Sequence, residues 1–148
     1  MKKLLLPLLL LAVGPALAQL PALHATPEKN DDTIVLTLTD EPRVAWQRAA
    51  GVLAARGYTF RYSDADLLAL STDFIDLKST SIIAIFVQVQ DNQLLLRGRW
   101  ITGSDLTTNS RAVRRGGFLG GTSSEWPELE AIAHQLGSTA GYYESEAE

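Results

Sequence analysis

The chain has 148 residues, 13 of them basic and 17 acidic, a net charge of −4, and no cysteine. Without cysteine there is no disulfide framework, thiol nucleophile, thiolate metal site or lipid-bearing thiol, and the acidic balance argues against a nucleic-acid surface. The charge is nonetheless uneven. Arg97, Arg99, Arg111, Arg114 and Arg115 are followed by six glutamates, Glu125 to Glu148, with no further Lys or Arg. These regions are expected either to polarise the molecule or to neutralise one another.

The first residues have the pattern of an export signal. Lys2 and Lys3 precede an apolar run from Leu4 to Val13, and Ala16-Leu17-Ala18 has the small-x-small form of a cleavage site. The run is shorter than the about 20 residues a membrane span needs, so cleavage before Gln19 and an exported product, periplasmic or secreted, are expected. Removing residues 1–18, with both lysines, leaves 130 residues and a charge of −6. That length suits one domain, expected over 33–148 behind a flexible leader at 19–32 that contains Pro21 and Pro27.

Along the chain, "TIVLTLTD" alternates Ile34, Leu36 and Leu38 with Thr33, Val35, Thr37 and Thr39, the period of a half-buried strand. Asp40 is expected to cap a helix that tolerates Pro42 in its first turn. That helix carries Ala45, Trp46, Ala49, Val52 and Leu53 as its apolar stripe and stops at Gly57. The stretch from Tyr58 to Leu77 reads as two short strands around a turn at Asp64-Ala65-Asp66. "SIIAIFVQVQ" and "QLLLRGRWIT" are the firmest strands, joined at Asp91-Asn92, a pair that accepts the backbone of a tight hairpin. Residues 103–121 read as one long, polar, glycine-rich loop. A second helix then begins near Ser123 or Ser124, with Trp126, Leu129, Ile132, Ala133 and Leu136 on one face, and Ala140 and Tyr143 in position to extend that stripe.

Strand, helix, strands, helix in that order predicts an α+β fold: an antiparallel sheet of four to five strands with two helices packed on one face. Over residues 33–143 the order resembles the helix-grip domains of envelope proteins such as the lipoproteins of outer-membrane assembly. The resemblance implies a fold, not an activity.

The loop "RRGGFLGGTSSEW" has the spacing of a phosphate cradle between Gly116 and Gly121, but Thr122 stands where the lysine belongs and no buried strand leads into it. His24 and His134 lie on different segments, so no two-histidine metal site is expected on one element. No G-x-S-x-G elbow occurs. Asp64 with Asp66, and Asp73 with Asp76, are the candidates for acid–base or Ca²⁺ chemistry, against readings as turn formers and as surface groups near Arg97 and Arg99. Trp46, Trp100 and Trp126 read as core anchors rather than as a stacking platform. Phe118 and Leu119 must either fold back over the core or meet a partner, and folding back is the favoured expectation.

These readings point to a non-enzymatic exported module that binds a protein or another cell-envelope component. Arg111, Arg114, Arg115, Phe118 and Leu119 are its candidate contacts. No catalytic group, cofactor, metal, nucleic acid or membrane span is expected. The alternatives are a carrier of a small apolar ligand held between helices and sheet, and a hydrolase using the aspartates.

Overall fold

The computed structural model describes residues 21–77, 81–102, 110–117, 119–137 and 139–145. The expected signal at 1–18, Phe118 and the last three residues lie outside the described residues. The elements in chain order are β1 (Thr33–Thr37), α1 (Pro42–Ala55), β2 (Phe60–Asp64), β3 (Ala69–Thr72), β4 (Ile75–Asp76), β5 (Ser81–Gln90), β6 (Gln93–Thr102), β7 (Arg111–Ala112), α2 (Trp126–Leu136) and β8 (Ala140–Tyr143).

The fold is α+β, and among the described residues its sheet has eight strands rather than four to five. The main order is β2-β3-β5-β6-β1-β8, with β4 beside β5 and β7 beside β6. Three of the unexpected strands are short. β4 and β7 have two residues each, too few to show an alternation, and β8 falls where a helix was expected to continue. Gly137 sits at φ 60° and ends α2. The chain then pairs antiparallel with β1, Ile34 facing Tyr142 and Leu36 facing Ala140. A strand ladder thereby satisfies backbone groups that an extended helix would have used locally.

Alternation divides the sheet into two faces. Ile34 and Leu36 on β1, Ile83 to Val89 at alternate positions on β5, and Leu94 and Leu96 on β6 form one buried cluster with Ala45, Ala49 and Leu53 of α1 and Trp126, Leu129 and Ile132 of α2. Both helices therefore cover the same face. Gly98 allows this closeness: a Cβ there would lie 2.8 Å from Val113 Cγ2 and 3.3 Å from Leu129 Cδ2. Val35, Leu95 and Tyr143 form a separate small cluster on the opposite face.

Local expectations met mixed outcomes. Gly57 ends α1 with φ 91°, and Asp91 takes φ 51° in the β5–β6 turn. Asp40 does not cap α1. The N-cap is Glu41, which makes no side-chain capping bond, and the Asp40 carboxylate instead pairs with Arg48 at 3.0 Å. Ser123 does serve α2, accepting the Trp126 amide hydrogen at 3.2 Å. The helices are clamped together where Glu128 accepts both Nε and Nη2 of Arg56, at 2.9 and 2.5 Å, and the Tyr58 hydroxyl at 3.1 Å. Burial, then the Glu128 charge, pushes the Tyr58 phenol far above its ordinary value.

Residues ahead of β1 contribute to the fold. His24 and Tyr142 exchange backbone hydrogen bonds of 2.7 and 3.0 Å, and the Lys29 and Asp31 carbonyls accept the amides of Gly116 and Arg115 at 2.7 and 2.8 Å. Asp31 and Asp32 are buried. Asp31 accepts the Glu28 amide at 2.7 Å and faces His24 Nδ1 at 3.1 Å, while Asp32 accepts the hydroxyls of Thr33 and Ser145 at 2.8 and 2.6 Å. The His24 pKa is raised above 6.5, mainly by its bond to Asp31 and with a smaller contribution from the Glu28 charge. A raised native pKa gives stability that is complete below about pH 6.5 and lost as pH climbs through the native value. Amide exchange at His24 and Tyr142 is therefore expected to quicken on going from pH 5.5 to 8 beyond the intrinsic rate change, and His24→Gln to abolish that excess. The same excess in His24→Gln would remove the histidine from the account.

Candidate functional site

On the face away from α1 and α2, helix-free among the described residues, the strand registers place one continuous row: Tyr62 beside Ser71, Ser71 beside Phe86, Phe86 beside Arg97, Arg97 beside Thr33, and Thr33 beside Tyr143. Arg99 follows Arg97 on the same face, opposite Ala84. Two arginines thus rise from one strand, two residues apart.

Each guanidinium is held by neutral oxygens. Arg97 donates from Nε to Thr33 Oγ1 at 2.9 Å and from Nη2 to the Tyr143 hydroxyl at 2.6 Å, with its carbon 5.8 Å from the Tyr143 ring centre. Arg99 donates from Nε to Ser110 Oγ at 3.0 Å and from Nη2 to the Ser110 carbonyl at 2.9 Å. Among the described residues neither forms a salt bridge. Such bonds fix a guanidinium in place while leaving its charge uncompensated.

A cleft of about 1410 Å³ begins at Phe86, Arg97 and Arg99, passes β7 and the 114–124 segment, and ends at Glu125. Four arginines and two carboxylates, Asp32 and Glu125, line it. It is a locally cationic surface on an acidic protein, an arrangement that attracts anions. Glu125 is buried and accepts hydroxyls from Ser81 and, at 2.6 Å, from Ser124. Its carboxylate sits at the start of α2, where the helix dipole favours negative charge.

Of the expected contact residues, Arg111, Arg114 and Leu119 border the cleft. Arg111 is exposed on β7, facing Trp100 across the strand pair, and so points to the face opposite Arg99. Arg114 pairs with Glu144 at 3.4 Å. Arg115 is half-buried and tied through its backbone to Asp31 and Ser123. Leu119 is 95% exposed, so the expectation that it folds back over the core is corrected. Phe118 lies outside the described residues. Within the stretch expected as a polar, glycine-rich loop, Val113 is fully buried and packs near Gly98.

The phosphate-cradle spacing also finds its answer. The Gly117 and Gly120 amides bond to the carbonyls of Gly121 and Gly117, and the Ser123 amide to that of Arg115, while Gly120 and Gly121 take φ of 89° and 75° to make the turn. A small hairpin closed at Gly116 and Thr122 thus occupies donors that an anion would need.

Two of the candidate aspartates, Asp64 and Asp73, accept local hydrogen bonds. Asp64 accepts the Asp66 and Leu67 amides at 2.8 and 2.9 Å, and those bonds, Leu67 first, hold its carboxyl below the ordinary range, so at neutral pH it has no proton to give as an acid. Asp73 is exposed and accepts the Thr59 hydroxyl at 3.1 Å. Among the described residues no group of three or more His, Cys, Asp or Glu side chains is placed to hold a metal, and no helix is long and apolar enough to cross a membrane.

Sequence reasoning passed over Phe86, Arg97 and Arg99 as site residues. The available signal was the Arg-x-Arg alternation in a strand, but only the pairing with β5 and β1 shows what stands beside it. Compared with known proteins, the chain matches no family model and no curated protein.

Proposed function

We propose that this protein is an exported, non-enzymatic binding module whose contact surface is the arginine-lined cleft together with the 116–122 hairpin at its rim. The observation that carries this reading is Leu119, a large apolar side chain 95% exposed beside that cleft. An isolated exposed leucine is ordinary; one at the tip of a tight hairpin bordering a cationic cleft is suited to meet a partner. The space between α1, α2 and the sheet is occupied by core side chains, which favours a binding surface over an internal carrier cavity. The export-signal pattern at residues 1–18 supports a partner in the periplasm or outside the cell.

A photo-crosslinking residue at position 119, expressed in the native host, is expected to give a discrete adduct in the envelope fraction. The same residue at Arg43, exposed on α1, is expected to give none. Equal labelling at both positions, or none at 119, rejects the hairpin as a contact.

A further inference from the structure

Resting on the reading of the cleft as the binding surface, we infer that its occupant is an extended acidic peptide with carboxylates on alternate residues. Arg97 and Arg99 share a face of one strand, so their Cα atoms stand ~7 Å apart, twice the rise per residue. An extended peptide presents side chains i and i+2 on one side at the same interval. Two carboxylates so spaced meet two guanidiniums already oriented by Thr33, Tyr143 and Ser110.

The surroundings narrow the class further. Phe86 lies directly beside Arg97 and Ser71 beyond it, giving the peptide backbone and its apolar side chains a floor to rest on. At the rim, Arg114 already pairs with Glu144, just after β8, so this surface accommodates a carboxylate carried on strand-like chain. The cleft volume, about 1410 Å³, exceeds the ~300–1,000 Å³ usual for small-molecule pockets. The Gly117, Gly120 and Ser123 amides, which a phosphate cradle would use, already bond to carbonyls of the same segment. Nucleic acid would meet a chain of net charge −4, whereas a short peptide samples mainly the local field.

The test uses the mature chain, residues 19–148, and fluorescence anisotropy with a labelled octapeptide of alternating Glu and Ser. Saturable binding is expected that weakens as salt rises, with none for the Gln-Ser counterpart. Arg99→Gln is expected to weaken it about tenfold or more, in line with the loss of a charge-assisted bond, with the thermal midpoint unchanged, because Arg99 is exposed and, among the described residues, held by Ser110 alone. Absence of binding by the Glu-Ser peptide overturns the proposal. So does equal competition by inorganic phosphate or oligothymidylate, which would mark a general anion or nucleic-acid surface. If the peptide fails while the position-119 adduct persists, the acidic peptide is rejected and the binding module stands; if both fail, both are rejected.

Discussion

Trp126→Ala is expected to lower the unfolding free energy by ~3–5 kcal/mol, a large share of the ~5–15 kcal/mol typical of a domain. The ring is fully buried at the start of α2. It packs against Tyr142 with centroids 6.2 Å apart and planes tilted by 44°, and its Nε1 donates to Glu130 at 2.9 Å. Truncation therefore removes apolar area, opens a cavity, and leaves Glu130 without that donor. Trp46→Ala is expected to cost clearly less. Trp46 only borders the core, and among the described residues its buried Nε1 meets no acceptor, so the native state already bears an unmet donor there. Urea midpoints of the two variants measure the difference. Equal, small losses would put both rings on the surface and undo the account of α2 as the core's anchor.

A chain beginning at Thr33 is expected to lose about 3–7 kcal/mol relative to one beginning at Gln19, enough to leave it largely unfolded. Among the described residues the cut removes five backbone hydrogen bonds to the rest of the domain: two between His24 and Tyr142, and one each from Asp32 to Tyr143, Arg115 to Asp31 and Gly116 to Lys29. Each contributes ~0.5–1.5 kcal/mol net. It also strips Ser145 of the Asp32 carboxylate that accepts its amide and hydroxyl at 3.0 and 2.6 Å. A gentler variant reaches the same contact. At Gly116 a Cβ would stand 2.7 Å from the Lys29 carbonyl oxygen, so Gly116→Ala must push residue 29 away and is expected to speed exchange at the Arg115 and Gly116 amides. An unchanged midpoint for the Thr33 start would show that residues 19–32 are dispensable to the domain.

Sequence and fold agree at Trp126 and part company ahead of β1. Trp126 was legible as core because its neighbours Leu129, Ile132, Ala133 and Leu136 recur at helical spacing, a local periodicity that survives without knowledge of the rest of the chain. The segment ahead of β1 carries no such signal. Two prolines and scattered polar residues read as a leader, and it bonds to residues 84 to 118 positions away, which no local pattern records. Val113 was hidden similarly: one valine among arginines and glycines shows no period, yet Gly98, fifteen residues earlier, leaves the space it fills.

What the sequence determined by itself was local. It specified the alternation of β1, β5 and β6, the Asp91-Asn92 turn, the apolar stripes of α1 and α2, and the glycine that stops α1, because each follows from steric preference or from burial on one face at a fixed period. Tertiary structure alone decided whether Ala140–Tyr143 became helix or strand, since both periods fit four residues and the open edge of β1 supplied the hydrogen bonds that chose. It also sorted the arginines. Arg97 and Arg99 share the helix-free face while Arg111 turns to the other, because in a paired strand the face of a side chain is set by its register with a partner strand, and register belongs to the sheet.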